Sequence, residues 1–281
     1  MAEADFAPDM VHRAGSGRWP GEKPFQRIGP MKSVAGTLAA TGALLGSAYV
    51  SNLVRPRGVG KAPLLWHKLV SRSLGVRISQ RGEQVSGAVL YVANHLSWLD
   101  IPVLGSRLHG SFVAKAEVGK MGFVSLLADV QRTIYVERSR RTSSGSQAES
   151  IQDRLKGGDN VILFPEGTSN DGVRLLPFKS TLFSVTDGAG MDAVRIQPIT
   201  LAYTHLNGLP LTRSRMMDIA WVGDMELGAH AMDVMRLGRI KAEIVFHPPV
   251  RRCDFANRKA LALHCQQVIA GSYRQLMRGE P

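Results

Sequence analysis

The chain has 281 residues, of which 44% are hydrophobic, enough for one large domain or two small ones with a sizeable core. Its 35 basic and 23 acidic residues give a net charge of +12, which favours an anionic partner, either a nucleic acid or an anionic membrane surface. Aromatic residues make up only 6%, and no zinc-finger or RNP pattern stands out, so we expect no nucleic-acid partner. Cys253 and Cys265 form neither a metal site nor a disulfide framework, which indicates a reducing compartment.

Residues 1 to 30 are polar and rich in glycine and proline, and we predict a disordered leader there. The segment from Ser33 to Val54 has no charged residue, and basic residues flank it on both sides. Its length suits a membrane span, but glycines and hydroxyl residues dilute its leucines. Three alternatives stay open: a spanning helix, an interfacial or membrane-dipping helix, and a helix packed on a soluble domain. We therefore treat residues 31 to 60 as a membrane-associating helix.

From residue 61 onward, predicted strands and helices alternate. Residues 63 to 74 predict an amphipathic helix with a basic face, able to pack on a sheet or to lie on anionic lipid. Strands are predicted at 76–81, 89–93, 112–115, 133–138, 161–164, 196–201, 217–222 and 241–247. Further helices are predicted at 97–108, 118–129, 147–156, 179–186 and 257–277. The alternation indicates an α/β protein.

The strand from Val89 to Ala93 is apolar throughout, which is typical of a strand buried on both faces. It leads into a polar turn with Asn94 and His95, at the place where ligands bind in open α/β sheets. Asp100 follows five residues after His95, a spacing that suits an aspartate just inside the next helix. There it could hold one ring nitrogen of the histidine and leave the other free to accept a proton. Taken alone, the stretch equally fits a capping asparagine beside a surface histidine.

A second stretch, Val161 to Ser169, has the same plan: a short apolar strand that enters a turn with a carboxylate, a glycine and a hydroxyl. Pro165 ends the strand because it lacks the N–H that a central ladder needs. Gly167 permits a positive φ or a close approach of the backbone to a ligand. The structural alternative for this stretch is a strand-to-helix turn capped by Thr168.

Together, the Asn94-to-Asp100 and Phe164-to-Thr168 stretches resemble the first and third blocks of the glycerophospholipid acyltransferase family, N-H-x4-D and F-P-E-G-T. Thr133 to Arg138 resembles the second block, and Ile196 to Leu201 the fourth. The resemblance covers roughly residues 60 to 250. It implies a glycerolipid acyltransferase fold, with a mixed, mostly parallel sheet flanked by helices and an N-terminal membrane-associating helix. Residues 61 to 281 would form the acyltransferase domain.

The resemblance also implies a reaction, in which a fatty acyl group moves from acyl-ACP or acyl-CoA to the hydroxyl of a lysolipid. His95 is the candidate general base and Asp100 its orienting partner, while Asn94 is a candidate for stabilising the oxyanion. No G-x-S-x-G elbow occurs, which favours direct attack by the acceptor over an acyl-serine intermediate. The substrate-binding candidates are Arg138, Glu166, Gly167, Thr168, Lys115 and Lys179. We expect no cofactor and no metal, since the acyl thioester is a co-substrate.

Ser169 marks a departure from the family pattern. Members that form phosphatidic acid usually carry an arginine at this position, and arginine offers bidentate phosphate contacts that serine does not. The run from Ser169 to Gly172, followed by Leu176 to Ser180, is more similar to the bacterial branch that acylates lyso-ornithine lipid. That branch is preferred, and the lysophosphatidate branch stays open.

The expected partners are therefore an acyl carrier protein or CoA thioester, a lysolipid acceptor and an anionic membrane surface. The expected location is the cytoplasmic face of a bacterial inner membrane, with the protein either single-pass or peripheral. Two other functions remain as alternatives: a non-catalytic peripheral lipid-binding protein, and a lipid hydrolase that uses the same His–Asp pair on water.

Overall fold

A computed structural model describes residues 30–54, 61–136, 144–223 and 225–280. The predicted leader, except for its last residue, and the predicted substrate-binding Arg138 lie outside these ranges. The described α-helices are α1 Pro30–Val54, α2 Lys61–Ser73, α3 Asp100–Gly105, α4 Phe123–Val130, α5 Ser144–Lys156, α6 Arg213–Met216, α7 Leu227–Leu237 and α8 Arg258–Arg278. Short 3-10 helices span Ala116–Lys120, Ser180–Thr186 and Arg252–Asp254.

The strands form one mixed sheet, as predicted. They are β1 Val76–Arg81, β2 Val89–Ala93, β3 Ser111–Lys115, β4 Ile134–Val136, β5 Val161–Leu163, β6 Arg195–Leu206, β7 Leu209–Pro210 and β8 Ile240–Phe246. Their order is β1-β8-β6-β2-β5-β3-β4, with β7 paired to β6. The neighbours from β6 to β4 are parallel, β1 is parallel to β8, and β8 runs antiparallel to β6. The carboxyl ends of β2, β5 and β3 therefore lie at the same edge of the sheet.

The sheet is covered on both faces, and β2 lies near its centre. Val89, Tyr91 and Ala93 contribute to one apolar cluster, which includes residues of α2 and α3. Leu90 and Val92 point to the other, which includes residues of α5 and α8. All five side chains are buried, and burial of each larger one stabilises the fold by about 1.5–3 kcal/mol. This two-sided burial explains the continuous apolar run of the strand.

Several predicted elements differ from the structure for local reasons. The predicted strand at 217–222 is wrong: the N–H groups of Ile219 and Ala220 both donate to the Met216 carbonyl, which closes the chain into a turn after α6. The predicted helix at 97–108 shortens to α3 because its first turn is taken up by contacts to Asp100. The predicted helix at 118–129 divides at Gly122, whose φ is +50°.

Helix α1 packs against α2 and not away from the domain. The hydroxyls of Thr37 and Ser73 lie 2.7 Å apart, and the Trp66 indole N–H donates to the Thr41 hydroxyl over 2.9 Å. None of the described helices is long and apolar enough to cross a membrane.

Candidate active site

The turns that follow β2 and β5 lie side by side at the carboxyl edge of the sheet. Strand β2 pairs in parallel with β5, with Val92 opposite Leu163, so both chains leave the sheet at the same level. The His95 ring stacks on Phe164, with 4.2 Å between ring centroids and 18° between planes. The sequence therefore predicted correctly that Val89 to Asp100 and Val161 to Ser169 each contain an apolar strand followed by a turn. The structure brings the two turns into contact.

His95 and Asp100 form the hydrogen-bonded pair that their spacing predicted. The Nδ1 atom of His95 lies 2.8 Å from Oδ2 of Asp100. The Asp100 side chain is fully buried, whereas 18% of the His95 side chain is exposed. Because a carboxylate can only accept, Nδ1 is the donor in this contact, and in a neutral ring with that tautomer Nε2 carries the lone pair. The exposed part of the ring thus belongs to a group that can accept a proton.

Asp100 also fixes the turn that carries His95. Its Oδ2 atom accepts from the backbone N–H groups of Leu96, at 2.6 Å, and Ser97, at 2.9 Å. The hydroxyl of Tyr203 donates to the other oxygen, Oδ1, over 2.8 Å. Four donors therefore surround a carboxylate with no exposed surface, and a buried charge needs such contacts.

Tyr203 was not among the residues that the sequence predicted. It lies on β6, 103 positions after Asp100, and is fully buried. Burial raises the pKa of Tyr203 well above its ordinary value, and the nearby Asp100 charge raises it further, so the phenol remains a donor. The available signal was strand alternation, which places Ile199, Leu201 and Tyr203 on one side of β6.

Asn94 forms two hydrogen bonds to the backbone of β6, and its role at the oxyanion stays a prediction. Its side-chain N–H donates to the Leu201 carbonyl, and its side-chain oxygen accepts from the Leu201 N–H, both over 2.8 Å. Strand pairing between β2 and β6 ends one step earlier, at Ala93 and Ile199. The Asn94 amide thus replaces a backbone group and extends the ladder where β2 turns away.

Glu166 connects the two turns from inside the protein. Its Oε1 atom accepts from the His95 backbone N–H over 2.8 Å, and Oε2 accepts from the Leu176 N–H over 2.7 Å and from the Asn170 side-chain amide over 2.5 Å. Only 1% of the residue is exposed. Burial raises the pKa of the Glu166 carboxyl, and the contacts from His95, Leu176 and Asn170 oppose that rise. Through these contacts Glu166 holds the backbone of His95 in place, and the contact to the acceptor that the family resemblance implied stays a prediction.

The residues after Glu166 line the surface of the turn. Gly167 has a φ of +77°, the left-handed conformation that its position in the motif predicted. Thr168 is exposed. Ser169 donates its hydroxyl to the Trp221 carbonyl, a contact that joins this turn to the segment after α6.

The two predicted lysines lie at the same edge of the sheet. Lys115 is the last residue of β3, and its side chain is exposed. Lys179 is also exposed, and its backbone N–H donates to the Pro165 carbonyl over 2.9 Å. Lys179 is therefore bonded to the residue before Glu166, and the binding role of both lysines stays a prediction.

The arrangement supports proton transfer more readily than covalent catalysis by serine. Ser97, the hydroxyl closest to His95 in the chain, is fully buried, as is the preceding Leu96. A buried hydroxyl has no access to a substrate carbonyl. The His95 side chain, in contrast, is 18% exposed, and its contact to Asp100 uses Nδ1 and leaves Nε2 out.

Comparison with known proteins finds relatives that match most of this chain. An acyltransferase family model matches residues 73–202. A lyso-ornithine lipid O-acyltransferase from Brucella abortus is 37% identical over 82% of this chain and 88% of its own length. One of the same description from Rhodobacter capsulatus is 33% identical over 92% and 98%.

Relatives described as 1-acyl-sn-glycerol-3-phosphate acyltransferases are more distant. The protein from Neisseria gonorrhoeae is 28% identical over 54% of this chain and 58% of its own length. The crystal structure of the 1-acyl-sn-glycerophosphate acyltransferase from Thermotoga maritima superposes with a TM-score of 0.60 at 20% identity, over 88% of this chain and 96% of that one. That likeness confirms the predicted fold.

Proposed function

This chain belongs to the acyltransferase family and is a lysolipid O-acyltransferase, and from that premise we propose that its acceptor is lyso-ornithine lipid. The reaction esterifies the free hydroxyl of the lysolipid with a fatty acyl group supplied as a thioester of acyl carrier protein or coenzyme A. The observation that carries the catalytic part is the contact of the buried Asp100 carboxylate with Nδ1 of His95.

In the proposed mechanism, Nε2 of His95 takes the proton of the acceptor hydroxyl as the oxygen attacks the thioester carbonyl carbon. A C–O bond forms and the carbonyl oxygen becomes an oxyanion. The intermediate then collapses, the C–S bond breaks, and the imidazolium returns its proton to the departing thiolate. Asp100 stabilises the imidazolium and keeps the ring in the correct tautomer.

The contacts support a positioning role for Asn94 and Glu166. Asn94 holds β2 to β6, and Glu166 holds the His95 backbone N–H. The backbone N–H groups of Leu96 and Ser97 donate to Asp100, so the turn around His95 has its amides in use. Their common effect is a rigid histidine, which general-base catalysis requires.

Tyr203→Phe tests how much the His95–Asp100 pair depends on the Tyr203 hydroxyl, the fourth hydrogen-bond donor to Asp100. The variant removes one hydrogen bond to a buried charge, typically about 1.5–3 kcal/mol. We expect kcat to fall roughly tenfold to hundredfold with KM nearly unchanged, because Tyr203 acts through Asp100 and does not touch substrate. Steady-state kinetics with the acyl donor varied would measure kcat and KM separately.

Tyr273→Phe is the matched control for that variant. Tyr273 is also a buried tyrosine, but its hydroxyl donates to the Gly172 carbonyl over 2.5 Å. The Tyr273→Phe variant should lower the melting temperature about as much as Tyr203→Phe does, while leaving kcat within a few-fold of wild type. An equal fall of kcat in both variants would reduce Tyr203 to a packing residue.

The choice of acceptor rests on position 169 together with the relatives. Ser169 is neutral, and its hydroxyl is already used by the Trp221 carbonyl. A phosphate clamp would therefore have to come from other cations, such as Lys115, Lys179 or the predicted Arg138. A zwitterionic amino-acid head group requires only one cation for its carboxylate. Relatives described as lyso-ornithine lipid O-acyltransferases cover most of this chain, which supports the same choice.

Ser169→Arg is expected to improve the use of lysophosphatidic acid relative to lyso-ornithine lipid. A well-placed charge-assisted pair contributes about 1.5–3 kcal/mol, which corresponds to a change of roughly tenfold to hundredfold in the ratio of kcat/KM values. The ratio is the appropriate measure because it cancels any general loss of activity.

Ser169→Ala is the control, since it removes the contact to Trp221 without adding a cation. It should lower both kcat/KM values in parallel. If Ser169→Arg leaves the ratio where Ser169→Ala leaves it, and the native enzyme already prefers lysophosphatidic acid, the serine carries no acceptor information.

The proposed location is the cytoplasmic face of a bacterial inner membrane, with the protein bound peripherally. Leu65 and Leu69 of α2 are 56% and 41% exposed, and Leu38 of α1 is 62% exposed. Exposed leucines beside basic residues on one helix face are typical of a helix that lies in a membrane interface. The net charge of +12 supports attraction to anionic lipid.

A further inference from the structure

A basic pocket of about 210 Å³ lies apart from the His95–Asp100 pair, between α2, β1 and the end of α3. Four elements converge on it, since β8 also contributes one residue. Its polar lining includes Lys68, Ser71 and Arg72 of α2, Arg77 of β1, Arg107 after α3 and Lys241 of β8. The residues that line the pocket include five cations and no carboxylate.

Glu243 is a carboxylate that pairs with one of the cations of the pocket. Lys241 lies 3.0 Å from Oε1 of Glu243, while Arg81 lies 3.2 Å from Oε2 of the same residue. Thr204 also donates to Glu243 over 2.9 Å. Glu243 is thus shared among three donors, whereas the lining of the pocket itself has an excess of cations over carboxylates. Such an excess favours an anionic ligand.

Two buried donors of the pocket point to the same kind of ligand. Ser71 is only 1% exposed, and its hydroxyl has no hydrogen-bond partner among the described residues. The Nε atom of Arg107 is likewise buried without one, although Nη2 donates to the Ile78 carbonyl over 3.2 Å and holds the guanidinium in place. Both residues line the pocket, and a phosphate group offers the several acceptor oxygens that such donors need.

We infer that this pocket binds the phosphate group of an anionic phospholipid headgroup. The α2 helix supplies the argument for lipid, because Lys68 and Arg72 share a helix face with the exposed Leu65 and Leu69. A helix with this face in the interface would place its cations at the depth of the lipid phosphates. The inference rests on the proposed membrane association and is independent of the chemistry assigned to His95.

The test measures binding of the purified full chain to phosphatidylcholine vesicles, with and without phosphatidylglycerol, by co-sedimentation. Ser71→Ala changes no charge and removes only the buried hydroxyl, and we expect it to weaken binding to the phosphatidylglycerol vesicles about fivefold. Arg107→Gln should weaken it roughly tenfold or more. Binding to vesicles of phosphatidylcholine alone should not change in either variant.

Arg274→Gln is the charge-matched control, because Arg274 is exposed on α8 and lies outside the pocket. It removes the same charge as Arg107→Gln and should have a much smaller effect. If circular dichroism shows that Arg107→Gln is unfolded, the double variant Lys68→Gln/Arg72→Gln, at two exposed positions, takes its place.

Three outcomes would overturn the inference. The first is an equal loss of binding to phosphatidylglycerol vesicles in Arg107→Gln and Arg274→Gln, and the second is unchanged vesicle binding in Ser71→Ala. The third is a loss of affinity for inorganic phosphate or coenzyme A in the pocket variants without a loss of vesicle binding. The last outcome would assign the pocket to a soluble phosphate. Acyl transfer in detergent, which needs no bilayer, should stay unchanged in Ser71→Ala. The experiment therefore distinguishes a wrong inference about lipid binding in the pocket from a wrong proposal for the enzyme activity.

Discussion

The His95→Ala variant is expected to lose about 10²- to 10⁴-fold in acyl-transfer rate, the usual contribution of a general base. Alanine removes the nitrogen that accepts the acceptor's proton, but it retains the backbone N–H that donates to Glu166. The turn should therefore keep its conformation, and circular dichroism and melting temperature should stay close to wild type. Initial rates with a labelled acyl donor in detergent measure the loss.

A suitable control for this variant is His264→Ala. His264 is a partly buried histidine whose ring packs on Phe255, with 5.0 Å between centroids, in α8. It loses a comparable ring–ring contact but has no proposed role in proton transfer. Transfer by folded His95→Ala at more than about a tenth of the wild-type rate would remove His95 from the mechanism.

Asp100→Asn is expected to cost roughly 10²- to 10⁴-fold in kcat, within the range set by loss of the orienting carboxylate in comparable triads. An asparagine has one acceptor oxygen, whereas Asp100 uses both of its oxygens to accept from four donors. If the amide nitrogen faces His95, the ring must place its proton on Nε2 and loses its basic lone pair there. If the oxygen faces His95, the imidazolium loses its counter-charge.

The measurement for Asp100→Asn is the separation of kcat from KM in steady-state kinetics, with folding checked by thermal denaturation. The KM for both substrates should change little, because Asp100 is fully buried and contacts neither. A kcat within tenfold of wild type would contradict the role of Asp100 as the partner that sets the tautomer. A strong rise of KM alone would instead indicate a binding role.

The parts of this protein that could be predicted from its sequence are those with local signals. The apolar run from Val89 to Ala93 predicts a doubly buried strand, and the spacing from His95 to Asp100 predicts a contact across one turn. The family resemblance then gave the mixed sheet, which the structure confirms. The structure also contains the predicted contact between His95 and Asp100.

The parts that could not be predicted depend on contacts between distant segments. Asn94 and Glu166 have the residue types of catalytic groups, yet their partners include backbone groups of Leu201, His95 and Leu176, which only the folded chain brings near. Tyr203 reaches Asp100 from another strand, and the alternation along β6 predicts its side of the sheet but not its partner. A buried polar side chain that satisfies a backbone group has the same sequence pattern as one that binds a substrate.

The most direct test of the account is to supply the purified protein in detergent with a labelled acyl thioester, as acyl-ACP or acyl-CoA, together with lyso-ornithine lipid and lysophosphatidic acid. We predict that label enters ornithine lipid with the higher kcat/KM, and that His95→Ala abolishes this incorporation. Release of free fatty acid without labelling of either lipid would contradict the account, and a strong preference for lysophosphatidic acid would contradict its choice of acceptor.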